Sequence, residues 1–123
     1  MTVAAIDFNM LANAGFPTKA FAPGEVVFAE GDKGDFMYVV RSGELEIVRD
    51  GVVAETLGPG GIFGEMALID GSPRSATVRA KTDCEVAPIN EKSFVFLVHE
   101  TPYFAVAVMR TLADRLRRSV PRG

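Results

Sequence analysis

The chain has 123 residues, 48% hydrophobic and 24% charged, with a formal net charge of −3 at pH 7. That length holds one domain with one real core, and the mildly acidic balance excludes broad electrostatic binding to nucleic acid or anionic lipid. A single cysteine, Cys84, and a single histidine, His99, exclude an intramolecular disulfide and a Cys/His zinc site and fit a reducing, cytoplasmic setting.

Residues Ile6 to Ala14 read as a short N-terminal helix, stopped by Gly15 and Pro17. No basic stretch followed by an apolar core suggests a secretory signal, and no apolar run approaches the ~20 residues of a membrane span. From Lys19 to Ile89 short β-branched and aromatic runs alternate with Gly, Pro and Asp: Val26–Ala29, Phe36–Arg41, Glu44–Arg49, Val52–Leu57, Ala76–Ala80 and Cys84–Ile89. Strands at this spacing predict a sandwich, jelly roll or barrel. Asp50-Gly51 predicts a tight hairpin, and Leu45 and Ile47 fall on one buried face of their strand. Met66 to Ile69 form a short helical run inside this β region. After Ile89 the pattern turns helical. Asn90 predicts a cap for a helix to about His99. Thr101-Pro102 predicts the cap and first position of a last helix ending near Ser119. Its predicted apolar stripe is Ala105, Val108, Met109, Leu112 and Leu116, and Arg110, Asp114 and Arg118 are spaced for weak pairing. The fold class expected is thus mostly β with flanking helices: a single domain over 1–123, with an N-terminal helix in 1–16, a β-roll over 17–89 and two helices over 90–119.

The stretch Phe63 to Ala80, FGEMALIDGSPRSATVRA, concentrates the chemistry. Gly58, Gly60, Gly61 and Gly64 allow a close backbone approach, although their spacing matches neither a dinucleotide fingerprint nor a P-loop. Arg74 offers a planar fork that stays charged and matches phosphate. Backbone amides at Ser75 and Ala76 add donors beside small side chains, and the start of the Met66–Ile69 helix adds a partial positive charge. Glu65 suits a sugar hydroxyl, since a carboxylate accepts hydrogen bonds and repels phosphate. From the residues alone, Glu65 and Arg74 also fit a surface turn in which they pair with each other, and Ser75 fits a simple turn serine. Cys84 and His99 read as packing and surface residues, and no nucleophile–base pair is visible.

This stretch resembles the phosphate-binding cassette of cyclic nucleotide-binding domains, the family of the bacterial catabolite activator protein, the regulatory subunits of cAMP-dependent protein kinase and cyclic-nucleotide-gated channels. Pro23-Gly24-Glu25, Glu30-Gly31-Asp32, Gly34-Asp35, Met37-Tyr38-Val39-Val40 and Ser42-Gly43-Glu44 resemble the preceding β-roll of that family. The resemblance implies that Glu65 holds the ribose 2′-hydroxyl, that Arg74 neutralises the cyclic phosphate, that Gly64, Met66, Ala67 and Ala76 line phosphate and sugar, and that Ile47 and Val78 flank the base. Ser75 stands where a threonine favours cGMP in some members through a hydroxyl contact, but a serine there is also similar to the catabolite activator protein, which Arg74 to Ile89 resembles closely, so cAMP is the expected ligand and cGMP the less favoured one. Leu112, Arg115, Leu116 and Ser119 are the expected lid residues of the last helix. The expected function is a stand-alone cytoplasmic sensor, not an enzyme. It needs no other cofactor and no metal, touches neither nucleic acid nor membrane, is a monomer or weak dimer, and acts on an unknown downstream protein. A ligand-free interaction module and a cGMP-preferring receptor are the alternatives.

Overall fold

A computed structural model of the chain describes residues 15–119; the expected N-terminal helix lies outside the described residues. Among the described residues eight strands and three helices follow one another: β1 (Lys19–Phe21), β2 (Val26–Phe28), β3 (Phe36–Ser42), β4 (Leu45–Arg49), β5 (Val52–Leu57), β6 (Ile62–Phe63), α1 (Glu65–Asp70), β7 (Thr77–Ala80), β8 (Cys84–Asn90), α2 (Glu91–Glu100) and α3 (Tyr103–Ser119). The strands form two four-stranded antiparallel sheets, ordered β1-β8-β3-β6 and β2-β7-β4-β5. This is the β-roll expected from the strand spacing. β1 and β6 escaped the sequence pattern because three and two residues are too few to show alternation.

Local chemistry explains the joints. Asp50 and Gly51 both adopt positive φ, 52° and 76°, as a two-residue primed turn between antiparallel strands requires. At Gly43 a Cβ would lie 2.1 Å from the Asp83 carbonyl oxygen, so only glycine fits where the β3–β4 turn passes β8. Asn90 caps α2 as its sequence position predicts, its side chain accepting from the Ser93 N–H at 2.9 Å. Thr101 instead closes α2, donating its N–H to the Leu97 carbonyl at 2.8 Å, and α3 begins at Tyr103, after Pro102.

Two hydrophobic layers hold these parts together. Between the sheets lie Val40, Leu45, Ile47, Leu57, Phe63, Val78 and Val86. On the outer face of the first sheet, Met37, Val39, Ile62 and Ile89 pack against Leu97 of α2 and Phe104 and Val108 of α3. β3 is therefore buried on both faces, and its strict alternation is lost. The predicted stripe on α3 needs correction. Met109 and Leu116 are 58% and 56% exposed, and the inward face runs through Phe104, Ala107, Val108 and Leu112. Continued along the helix, that face reaches Arg115. The inward face thus keeps Val108 and Leu112 of the predicted stripe and turns away from Met109 and Leu116.

Candidate functional site

The elements that carry the cassette surround one hollow of about 160 Å³. Ile47 and Val78 form an apolar wall from neighbouring strands, paired directly across β4 and β7. Gly64, Glu65, Met66 and Ala67 supply one rim, and Arg74, Ser75 and Ala76 another. All nine binding residues expected from the sequence therefore line the same space.

Backbone geometry brings them there. Gly64 takes φ 79° at the junction of β6 and α1, and a Cβ on it would stand 2.6 Å from Arg74 Nη1. Gly71 ends α1 in the left-handed region at φ 73°, its N–H donating to the Ala67 carbonyl at 2.9 Å. With six residues, α1 is too short to contribute a strong macrodipole, so the positive charge of the cassette itself falls on Arg74. The Glu30-Gly31-Asp32 loop fixes the backbone of that arginine: Arg74 N–H donates to the Asp32 carbonyl and Gly31 N–H to the Arg74 carbonyl, each at 2.8 Å.

Arg74 is 5% exposed. Its Nη1 donates to the Gly64 carbonyl at 2.9 Å and its Nη2 to the Phe36 carbonyl at 2.8 Å. The guanidinium carbon sits 3.9 Å from the centre of the Phe28 ring and 5.8 Å from that of Tyr38. Among the described residues no carboxylate forms an ion pair with it, and its buried Nε has no hydrogen-bond partner. Burial lowers its pKa below the ordinary arginine value, with Tyr38, Asp35, Glu65 and Asp32 opposing the shift from a distance. The surface pairing with Glu65 that the residues alone allowed is absent from the ion pairs formed among the described residues. A buried cation with neutral partners and one idle donor is an anion site in waiting.

Glu65 is 3% exposed and pairs with Arg115 of α3 through Oε1. Arg115 also forks onto Glu55 of β5, Nε to Oε1 at 3.1 Å and Nη2 to Oε2 at 3.2 Å, and donates to the Ile62 carbonyl at 2.6 Å. Burial alone would lower the pKa of Arg115, but the Glu65 and Glu55 carboxylates outweigh it and hold the group above the ordinary arginine value. Arg118 completes the cluster at 3.6 Å from Glu55 and 3.1 Å from Asp114, the pairing predicted from their spacing.

Of the expected lid residues, Arg115 alone lines the hollow. Leu112 packs into the layer beneath α3, Leu116 is exposed, and the side chain of Ser119 lies outside the described residues. Phe28, Glu55, Phe63 and Arg118 also line it and were not anticipated. Glu55 had a signal in the sequence. It pairs across the sheet with Ile47, on the strand face that also carries Leu57, so a carboxylate stands in an apolar register. Phe28 had none, since its position over Arg74 depends on how β2 docks on β7.

A hollow offering a buried cation, a buried carboxylate and an apolar wall can take an anion, a hydroxyl and a flat apolar group together. Comparison with known proteins agrees. The family model described as cyclic nucleotide-binding domain matches residues 18–101. The chain is 42% identical over 71 residues, 58% of its length, to a cAMP-dependent protein kinase regulatory subunit from Yarrowia lipolytica, of which it spans 19%. The catabolite activator protein of Thermus thermophilus superposes with a TM-score of 0.78 at 31% identity, over 92% of this chain and 55% of that one. The EAL enzyme Bd1971 in its cAMP-bound form superposes with a TM-score of 0.64 at 35% identity, over 82% of this chain and 28% of that one. Its cGMP-bound form gives 0.65 at 36%, over 83% and 28%. The chain thus spans about a fifth of that regulatory subunit and about half of the activator.

Proposed function

This chain belongs to the cyclic nucleotide-binding domain family, and from that premise we propose that it is a receptor for cAMP whose occupancy is relayed to a downstream protein through α3. The observation that carries the proposal is the buried Arg74 guanidinium, held by two carbonyls and an aromatic ring and paired with no carboxylate among the described residues. A cyclic phosphate supplies the missing countercharge. Glu65 accepts a ribose hydroxyl. Gly64, Met66, Ala67, Ser75 and Ala76 lie against the phosphate and sugar, and Ile47 and Val78 pack on the purine. Binding without turnover is the chemistry of such a site: it offers charge, acceptors and an apolar wall, and the ligand leaves unchanged.

The preference for cAMP rests on the stretch Arg74 to Ile89, which resembles the catabolite activator protein, with a serine at position 75 as in that activator. A cGMP-preferring receptor is the second reading, favoured by the similarity to a protein solved with each of the two nucleotides. Titration calorimetry with cAMP, cGMP and 5′-AMP separates the readings. A micromolar dissociation constant, about −8 kcal/mol, is expected for cAMP. At a hundredfold excess over that constant the ligand stabilises the fold by about 2.7 kcal/mol, raising the melting point by several degrees. Arg74→Leu is expected to weaken cAMP well over tenfold, because the phosphate then loses its countercharge. Parental affinity in that variant would remove Arg74 from the site, and no melting shift with either nucleotide would favour a ligand-free interaction module.

A further inference from the structure

We propose that Phe28 is a positioning residue for the ligand phosphate: a bulge in β2 turns its ring toward Arg74, and the ring fixes the plane of the guanidinium that the phosphate meets. The inference rests on the receptor reading above, with Arg74 as the phosphate-binding group.

The bulge decides where the ring points. Val26 pairs with Arg79 and Phe28 with Val78, so three residues of β2 span two of β7. In an unbroken ladder Phe28 would pair with Thr77 and share the outward side of Val26, which is 52% exposed. The extra residue instead sets Phe28 beside Val78, on the side that lines the hollow. Re-aiming a side chain beside a binding site is a common use of a bulge. The chain is pinned just beyond: Glu30 N–H donates to Thr77 Oγ1 at 3.0 Å, and Gly31 N–H to the Arg74 carbonyl at 2.8 Å.

Turned inward, the ring is one wall of a slot. The guanidinium carbon lies 3.9 Å from its centre. Tyr38 and Phe63 back the ring, their centroids 6.0 and 5.8 Å from it, and stack on each other at 4.9 Å. Gly34 is the other wall. An ideal Cβ there would stand 2.3 Å from both Cζ and Nε and 2.7 Å from Nη2, as near the central carbon as any nitrogen, so it would lie over the face of the group and not beyond its edge. The three atoms nearest to it all belong to Arg74; on the side of the ring, atoms of Phe28 would be at least as close, so Gly34 covers the opposite face. Between these walls only rotation in the plane is left, and the Gly64 and Phe36 carbonyls stop that at 2.9 and 2.8 Å. A carboxylate in place of the ring would hold the cation but also neutralise it. An aromatic face holds it through the ring quadrupole and leaves the countercharge to the ligand. A fork already held flat presents its donors to phosphate with little ordering left to be done on binding.

The test is cAMP affinity by titration calorimetry, with thermal melts, on the full chain. Phe28→Leu keeps an apolar side chain and removes the ring. It is expected to weaken cAMP about fivefold, or about 1 kcal/mol, the size of a partly desolvated cation–π contact. Should it fold poorly, Phe28→Met stands in with the same expectation. Parental affinity in the folded variant overturns the proposal. Phe28→Tyr keeps a ring and is expected to bind within twofold of the parent; a loss as large as that of leucine overturns the role of the aromatic face. A melting cycle gives a readout independent of ligand. Phe28→Leu is expected to lower Tm at least twice as far in the parent as in Arg74→Leu, where the ring has no cation to hold. Equal drops in the two backgrounds would assign Phe28 to packing alone and overturn the positioning role. If the parent binds neither cAMP nor cGMP, the receptor reading fails and takes this inference with it. If the parent binds and Phe28→Leu binds equally, this inference alone fails.

Discussion

A single methyl group placed at Gly34 should disable the anion site from outside it. An ideal Cβ there falls 2.3 Å from Arg74 Cζ and Nε and 2.7 Å from Nη2. Gly34 is not among the positive-φ glycines, so its backbone accepts alanine and the clash with the guanidinium is the whole effect. Ordinary contact begins near ~3.4 Å, so the guanidinium must retreat by about 1 Å or more. That breaks its bonds to the Gly64 and Phe36 carbonyls and lifts it off Phe28. Hydrogen bonds to a charged group contribute ~1.5–3 kcal/mol each and a partly buried cation–π contact ~0.5–2 kcal/mol. Because the end of a flexible side chain can swing to water, much of that gross loss is recovered. We expect Gly34→Ala to destabilise the fold by about 2 kcal/mol, a melting drop of roughly 6–10 °C, and to weaken cAMP at least tenfold, or about 1.4 kcal/mol. Thermal melts and titration calorimetry measure the two. A cycle with Arg74→Leu identifies the cause, since two substitutions acting through one side chain are not additive. Parental cAMP affinity in Gly34→Ala, or simple addition of the two effects, would refute the reasoning.

Gly43→Ala is expected to cost at least about 2–3 kcal/mol in urea denaturation, because a positive φ of 78° and a Cβ 2.1 Å from the Asp83 carbonyl oxygen leave a side chain nowhere to go; a cost below 1 kcal/mol, itself about the average substitution, would contradict the turn geometry. Asp70 provides a pH test. Hydrogen bonds from the Ser72 hydroxyl and N–H hold its carboxyl below the ordinary 3.8. A group lowered in the folded state stabilises above its unfolded value, and that contribution disappears as pH falls through the folded value. Melting points of Asp70→Asn should therefore lie below the parent near pH 6, fall less steeply with acid below about pH 4, and converge with the parent in strong acid. Parallel curves would show that the Asp70 carboxyl titrates alike in the folded and unfolded chain and is not held down by Ser72. The Arg74→Leu outcome given above completes the set.

Much of the hollow was legible because its parts are close in sequence. Gly64 to Ala67 and Arg74 to Ala76 sit on either side of one short helix, and turn chemistry at Gly64 and Gly71 fixes how that helix presents them. The hairpin at Asp50-Gly51 and the cap at Asn90 were equally local. The lid was not. An amphipathic pattern pointed to the most apolar stripe of α3, through Met109 and Leu116. Val108 and Leu112 of that stripe do face inward, but Met109 and Leu116 do not, and Phe104 and the expected lid residue Arg115 share the inward side. Periodicity treats an arginine as solvent-facing. It cannot register that two carboxylates from β5 and α1, distant along the chain, wait to receive it.

Sequence alone determined the β-roll, its turns and the placing of a carboxylate and an arginine in one glycine-rich segment, since these depend on backbone preferences and spacing over a few residues. Tertiary structure decided how the charges are shared: Arg74 stacked on Phe28 and bound to two carbonyls, Glu65 bound to Arg115, and Glu55 recruited from another strand. The physical reason is burial. Once removed from water, each charge must find its partner in space, and which partner it finds is set by the docking of sheets and helices whose registers no short stretch of sequence records.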